Sequence, residues 1–140
     1  MIRWTLPICL LVLAACGGPD RTEDVVAQWP DGSRKEVRST EESVAGEEVQ
    51  QFHENGRIHV RGRLVEGVRE GTWNTYRDNG NPWSQVDYVS GVKEGLFRTW
   101  HPNGLPHIEG QHAGGIPSGE WTFFSTEGAV VEVRNMSAVN

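Results

Sequence analysis

Histidine is the residue type in this chain best suited to metal binding or acid–base chemistry. His101, His107 and His112 are close together in sequence, with Glu109 between them. Imidazole and carboxylate groups are common ligands of Zn²⁺. His101 and His107 also flank Asn103-Gly104, a dipeptide typical of a tight turn. We therefore expect these two rings to approach each other across the turn.

A metal site shared with the other histidines is excluded by distance, and no ligand spacing in this cluster supports a metal. The counterparts of His101 and His107 earlier in the chain are His53 and His59, which lie two hairpins away. Four interstrand spacings of about 4.8 Å place the two pairs about 19 Å apart. The sequence therefore predicts neither a metal ion nor a cofactor.

Other catalytic arrangements are also missing from the sequence. Ser90, Ser118 and Ser125 have no histidine or aspartate at a consistent spacing, and serine is common in turns. The glycines recur at hairpin spacing and not as a phosphate-binding loop before a helix. We therefore predict no catalytic residues. The net charge of −6 argues against a nucleic-acid partner, which needs a basic surface.

Cys16 is a candidate for covalent modification. Arg3 precedes an apolar run over residues 6–13, which is too short for a membrane-spanning helix, and Leu13-Ala14-Ala15-Cys16 follows. That tetrapeptide resembles the bacterial lipoprotein processing signal, which is cut just before a lipidated cysteine. The alternative is an ordinary cleavage site with an incidental cysteine. The resemblance implies a diacylglyceryl group on Cys16, and anchoring by two or more acyl chains is stable.

This signal also predicts an address and a domain boundary. Residues 1–15 are expected to be the signal peptide, and residues 16–27, polar and Gly/Pro-bearing, a lipidated flexible tether. Gly17 follows the cysteine, where an aspartate would resemble an inner-membrane retention signal. We therefore expect attachment to a membrane in the cell envelope, at the periplasmic face of the outer membrane. Cys9 would leave with the signal peptide, so no disulfide is expected.

A 24-residue repeat sets the elements that position these residues. Glycines recur at positions 32, 56, 80, 104 and 128, and such a period indicates an array of identical supersecondary units. Three complete copies share further glycines and one aromatic residue. The repeated positions are Gly56, Gly67, Gly71 and Trp73; Gly80, Gly91, Gly95 and Phe97; and Gly104, Gly115, Gly119 and Trp121.

Two turns per copy predict an all-β fold. Asn-Gly favours a two-residue hairpin turn with φ above zero at both residues, and Gly-x-x-x-Gly is expected to form a second, longer turn. Strands are predicted over residues 57–65 and 72–77, and tight turns require antiparallel neighbours. The product is an elongated, twisted meander of stacked hairpins over residues 52–140. Trp73, Phe97 and Trp121 are expected to pack together as its core.

The opening copy, residues 28–51, departs from this pattern. Ser43 and Glu47 stand where the other copies have paired glycines. Terminal repeats are commonly atypical, so an irregular capping unit is predicted here. The acidic stretch from Glu41 to Gln51 is expected to be a loop or an irregular strand.

The pattern Gly-x-x-x-Gly-x-Trp/Phe-x-x-aromatic-x-x-Asn-Gly resembles the MORN repeat, in the variant found in bacterial proteins catalogued as YwqK-type antitoxins. The resemblance covers roughly residues 50 to 128. It implies a non-catalytic scaffold for protein interaction, here membrane-anchored. An alternative that it also implies is an antitoxin or immunity-like protein that neutralises a toxin by direct binding.

Positions that do not repeat are the candidates for partner contacts. Alternation places Arg57, His59, Arg61 and Arg63 on one strand face, a basic stripe on an acidic protein. This stripe suits an acidic partner or anionic lipid, although a solvated strand face is the alternative. Trp83 lies at an outward position of the next copy and is either a contact residue or buried by twist. A second aromatic stripe, Tyr76, Trp100 and Phe124, belongs on the face opposite Trp73 unless a bulge turns it.

Overall fold

The computed structural model describes residues 20–136, which form one ten-stranded antiparallel sheet with the strands in sequence order. The strands are β1 (Arg21–Gln28), β2 (Arg34–Glu41), β3 (Val44–Phe52), β4 (Ile58–Val65), β5 (Val68–Tyr76), β6 (Pro82–Val89), β7 (Val92–Trp100), β8 (Pro106–Ala113), β9 (Ile116–Phe124) and β10 (Val130–Met136). The predicted all-β meander with one hairpin per repeat is confirmed. The expected signal peptide and Cys16 lie outside the described residues. Over residues 20–136 no helix has the length and apolar character needed to cross a membrane.

The Asn-Gly turns differ from the prediction. Gly56 has a φ of +79°, but Asn55 does not have a positive φ, so the loop is not a two-residue turn. The amide of Gly56 donates to the carbonyl of His53, and the amide of His53 donates to the carbonyl of Arg57. This is a three-residue loop that ends in a left-handed glycine. The Asn55 side chain accepts a hydrogen bond from the Arg57 amide at 3.0 Å, which explains the preference for asparagine.

The paired glycines also act differently from the prediction. Val65 pairs directly with Val68, so Glu66-Gly67 is the two-residue turn, with φ values of +51° and +79°. Gly71 lies inside β5, where its φ of +68° coincides with a shift in register opposite Gly62. The second glycine of each pair therefore makes a β-bulge, not the end of a long turn. Strand β5 consequently begins at Val68, four residues before the predicted start.

The N-terminal part differs from the prediction in the tether, and it decides between the two alternatives for the acidic stretch. Residues 21–27, expected in the tether, belong to β1, which pairs with β2 through Val25 and Val37. Most of the stretch expected to be a loop or an irregular strand forms β3, which pairs with both β2 and β4. Its pairing with β2 shifts in register between Thr40 and Glu41, so the alternative of an irregular strand is the one observed. A glycine out of register makes this possible, because Gly46, with a φ of +89°, supplies a left-handed residue one position before Glu47.

The core lies on one side of the sheet, which we call the apolar face. Trp73 and Trp121 are buried there, and Phe97 is half-buried between them in the order of the repeats. Each tryptophan covers a glycine of the preceding strand, Trp73 over Gly62 and Trp121 over Gly110. Phe97 instead pairs with Val86. The large tryptophan rings thus lie over glycine, and the smaller phenylalanine ring lies beside valine, which keeps the packing density similar along the sheet.

The opposite side of the sheet, which we call the polar face, carries the side chains that vary between copies. Tyr76 lies on this face, beside Arg61 and Asn74. The second aromatic stripe is therefore on the side opposite Trp73, and its three members are half-buried.

Hydrogen bonds join each repeat to the next along both rows of turns. We call the row that contains the Asn-Gly turns the Asn-Gly edge. At the Asn-Gly edge, Nε2 of His53 donates to the carbonyl of Tyr76 at 3.0 Å, and Nδ2 of Asn55 donates to that of Asp78 at 2.7 Å. At the other edge, the carboxylates of Glu70 and Glu94 accept hydrogen bonds from the turn amides of the next hairpin. These bonds are Ser90 N to Glu70 Oε2 at 2.7 Å and Gly114 N to Glu94 Oε2 at 2.6 Å. Ser118 occupies the equivalent position in the last complete copy, where no further hairpin follows at this edge within the described residues.

Candidate functional site

A groove on the polar face contains two of the four arginine and tryptophan residues predicted to contact a partner. It lies between β4 and β5, where the Gly71 bulge separates the strands, and has a volume of about 430 Å³. Both Arg61 and Arg63 are exposed along its wall. The lining residues are Glu48, Arg61, Gly62, Arg63, Glu70, Gly71, Thr72, Asn74 and Tyr76. We call this the first groove.

A second groove recurs at equivalent positions 48 residues later, with a volume of about 390 Å³. Its lining residues are Leu96, Glu109, Gly110, Gln111, Glu120 and Thr122. Glu109 replaces Arg61, and Gln111 replaces Arg63. The backbone shape is therefore repeated, while the charged lining residues change from both signs to glutamates alone. One of these glutamates, Glu109, is paired with Arg98 at 3.3 Å.

In the middle copy, an aspartate side chain occupies the corresponding bulge. Asp87 stands where the first copy has Arg63. Its Oδ2 accepts a hydrogen bond from the amide of Leu96 at 3.1 Å, and its Oδ1 accepts one from the hydroxyl of Thr72 at 2.7 Å. Sequence reasoning missed this residue, although the change from Arg63 to Asp87 at one repeat position was a visible signal.

Some charged groups of the first groove form ion pairs and others do not. Glu48 forms ion pairs with Arg21, at 3.1 Å, and with Arg61. Burial raises the pKa of the Glu48 carboxyl, but hydrogen bonds from Gln50 and Arg61 and the nearby arginine charges outweigh it. The net pKa is lowered, so Glu48 is ionised at neutral pH. Arg63 stands opposite Glu48 and Glu70 in the strand register but forms no ion pair among residues 20–136.

The other two predicted contact residues lie outside the groove, near the Asn-Gly edge. The guanidinium of Arg57 donates to the carbonyl of Asp78 at 3.3 Å, so it joins two repeats. Trp83 is 49% exposed, and the guanidinium of Arg77 lies 5.4 Å from the centre of its ring. Of the two interpretations of Trp83, the structure therefore supports the exposed one.

Tilted pairs of histidine rings recur at the Asn-Gly edge. The ring centres of His101 and His107 are 4.3 Å apart, which confirms the expected approach across the turn, and those of His53 and His59 are 4.4 Å apart. The carbonyl partner of His53 can only accept a hydrogen bond, so Nε2 of that ring carries a proton. Within the part of the chain that the structure describes, no three His, Cys, Asp or Glu side chains are placed to hold a metal ion.

These histidine pairs predict a loss of stability in acid. Burial and then the charge of the partner histidine lower the pKa of His59 and of His107 below the ordinary 6.5. The unfolded chain therefore binds more protons than the folded chain as the pH falls from 6.5 through the lowered pKa values. We expect the free energy of unfolding, measured by urea denaturation, to be lower at pH 5 than at pH 7.5. Combined His59→Gln and His107→Gln changes should reduce this difference, and an unchanged difference would contradict the assignment.

The fold and the grooves together define a class of protein. It is a β-repeat protein whose hairpins form one open sheet, with repeated ring packing on the apolar face and charges that vary between copies on the polar face. Residues 69–90, which span most of β5 and all of β6, match the MORN repeat variant. The MORN-repeat part of the expected resemblance is thus confirmed. No curated protein and no solved structure shows a significant match to this chain.

Proposed function

We propose that the protein is a non-catalytic scaffold that binds a partner protein on its polar face. The contrast between the two grooves supports this proposal most directly, because the same backbone shape is lined by different charges. One repeated shape with different charges presents a different surface to a partner in each copy. The exposed Trp83 adds an apolar contact of the kind enriched at protein interfaces.

Face-specific crosslinking in cells tests this proposal. Gln85 and Ser84 are neighbours on β6 whose side chains alternate between the polar and the apolar face. A photo-crosslinking amino acid at position 85 of the full chain should give a discrete adduct that Trp83→Ala weakens. The same amino acid at position 84 is the matched control and should not give that adduct. Equal adducts from both positions, or none from either, would contradict a polar-face scaffold.

We further propose that a lipid on Cys16 holds the scaffold at the cell envelope, at the periplasmic face of the outer membrane. The support is the sequence Leu13-Ala14-Ala15-Cys16 after a short apolar run. In a bacterial host, radiolabelled palmitate should enter the wild-type chain and not the Cys16→Ser chain, and only the wild type should sediment with membranes. Label retained by the variant, or a soluble wild-type product, would overturn this address.

The antitoxin alternative uses the same face and differs only in the partner. If the crosslinked partner is a toxin met in the envelope, deletion of this protein should arrest growth of cells that also carry the toxin. Unaffected growth would contradict the antitoxin function and favour the scaffold function. Binding of the Cys16→Ser chain to liposomes in flotation would instead indicate that phospholipid is the partner.

A further inference from the structure

We propose that the first groove is a binding site for a carboxylate group of the partner protein, held by the Arg63 guanidinium and the backbone amide of Thr72. This inference rests on the proposed function and names the chemistry that the partner must present. The ligand is either an acidic side chain or a C-terminal carboxylate.

The middle copy demonstrates what this bulge accommodates. There the carboxylate of Asp87 accepts the amide hydrogen of Leu96, the residue that follows the bulge glycine Gly95. Gly95 has a φ of +96°, a conformation that exposes backbone amides to an anion. An aspartate of the same chain thus occupies the bulge and accepts its free amide hydrogen.

The first copy retains the bulge and lacks the carboxylate. Gly71 and Thr72 stand at the positions of Gly95 and Leu96, and the φ of Gly71 is again positive, at +68°. Arg63 replaces Asp87, and no side chain among the described residues accepts the Thr72 amide hydrogen. Arg63 and Thr72 both line the first groove, so a cation holds the repeat position that an anion has in the next copy.

The acidic residues of the groove are already engaged. Glu48 holds Arg21 and Arg61, and Glu70 accepts the turn amide of Ser90 at 2.7 Å. Arg63 is therefore the charged side chain left to meet a ligand. Charge-assisted hydrogen bonds of this kind are shorter and stronger than neutral ones, and an arginine fork suits a carboxylate.

The second groove provides an internal contrast. Glu109 and Glu120 replace Arg61 and Thr72 there. Glu109 is paired with Arg98 at 3.3 Å, so an approaching carboxylate meets Glu120 and finds no arginine in the lining. The same partner is consequently directed to the first groove and fixed in one register along the repeats.

Peptide binding to the full chain in detergent micelles tests the site. Three fluorescein-labelled peptides of equal length separate the two sources of carboxylate. One carries glutamates and an amidated C-terminus, one has only a free C-terminal carboxylate, and one has neither. We expect fluorescence anisotropy to show binding of at least one of the first two and not of the third. Arg63→Gln should weaken that binding about tenfold, the factor that corresponds to one charge-assisted hydrogen bond.

Arg57→Gln is the control, because it removes the same charge at the turn before β4, outside the groove. It should change the affinity less than twofold, and Arg63→Lys should retain part of the binding. Absence of binding by both carboxylate peptides, equal binding of the neutral peptide, or equal effects of the two glutamine variants would each overturn the inference. If Arg63→Gln has no effect while the adduct at position 85 persists, this site fails and the proposed scaffold function stands.

Discussion

Replacing Gly62 by alanine is expected to lower the free energy of unfolding by about 3 kcal/mol, near the upper end of overpacking effects. An added Cβ would lie 2.2 Å from Cδ2 of Trp73, so the indole ring must leave its place over the strand. That displacement also endangers the hydrogen bond from Nε1 of Trp73 to the carbonyl of Arg63, at 3.1 Å. Urea denaturation followed by tryptophan fluorescence measures the change.

A double-mutant cycle isolates the contact between Gly62 and Trp73. Phe97 pairs with Val86 in the middle copy, so a phenylalanine ring tolerates a larger neighbour. Gly62→Ala should therefore cost at least 1 kcal/mol less in the Trp73→Phe background than in the wild type, well beyond ordinary additivity error. Strict additivity of the two changes would show that the ring does not impose the glycine.

Gly46→Ala is expected to destabilise the opening hairpin by about 4 kcal/mol, the sum of left-handed strain and overpacking at their usual sizes. The added Cβ would lie 2.2 Å from the carbonyl oxygen of Leu64, a backbone atom that no rotamer change can move. The matched control is Gly32→Ala, since Gly32 has a similar φ, +84°, and open space around it. The control should show the strain alone, about 1–2 kcal/mol.

Amide hydrogen exchange shows where the damage from Gly46→Ala falls. Hairpins of a repeat protein contact only their neighbours, so protection should be lost in β1, β2 and β3 and retained from β6 to β8. A uniform loss over all strands, or equal destabilisation by Gly32→Ala, would contradict this account of the first copy.

The repeat period was sufficient to predict the class of fold, because glycine recurrence and alternation are properties of local sequence. The assignment of turn types failed for a physical reason. Asn55 was expected to take a left-handed conformation, but its side chain instead accepts the Arg57 amide hydrogen. The two-residue turn lies at the other end of the strand, where Glu66 and Gly67 are the left-handed residues. The opening copy was left between a loop and an irregular strand because its bulge glycine, Gly46, is one residue out of register.

The candidate site was harder to predict than the fold. Alternation placed Arg61 and Arg63 on one face, where the structure has them. The groove itself depends on the Gly71 bulge, which the sequence presented as part of a turn. Glu48 pairs with Arg21, and Glu70 accepts the Ser90 amide hydrogen. These contacts join residues about 20 or more positions apart, and the repeat period does not predict them.

The bonds between repeats have a consequence for inheritance. Each joins one position to a fixed position in the next copy, as His53 does with Tyr76 and His101 with Phe124, 23 residues apart in both cases. A gene that gains 24 codons in frame within the central copies therefore encodes a longer sheet without any new kind of contact, and one that loses them encodes a shorter sheet. Each duplication also delivers a spare polar surface, free to acquire charges of its own while the older copies keep theirs. Partner recognition in such a lineage can diversify by duplication of a repeat followed by substitution of its surface residues, and the fold stays the same throughout.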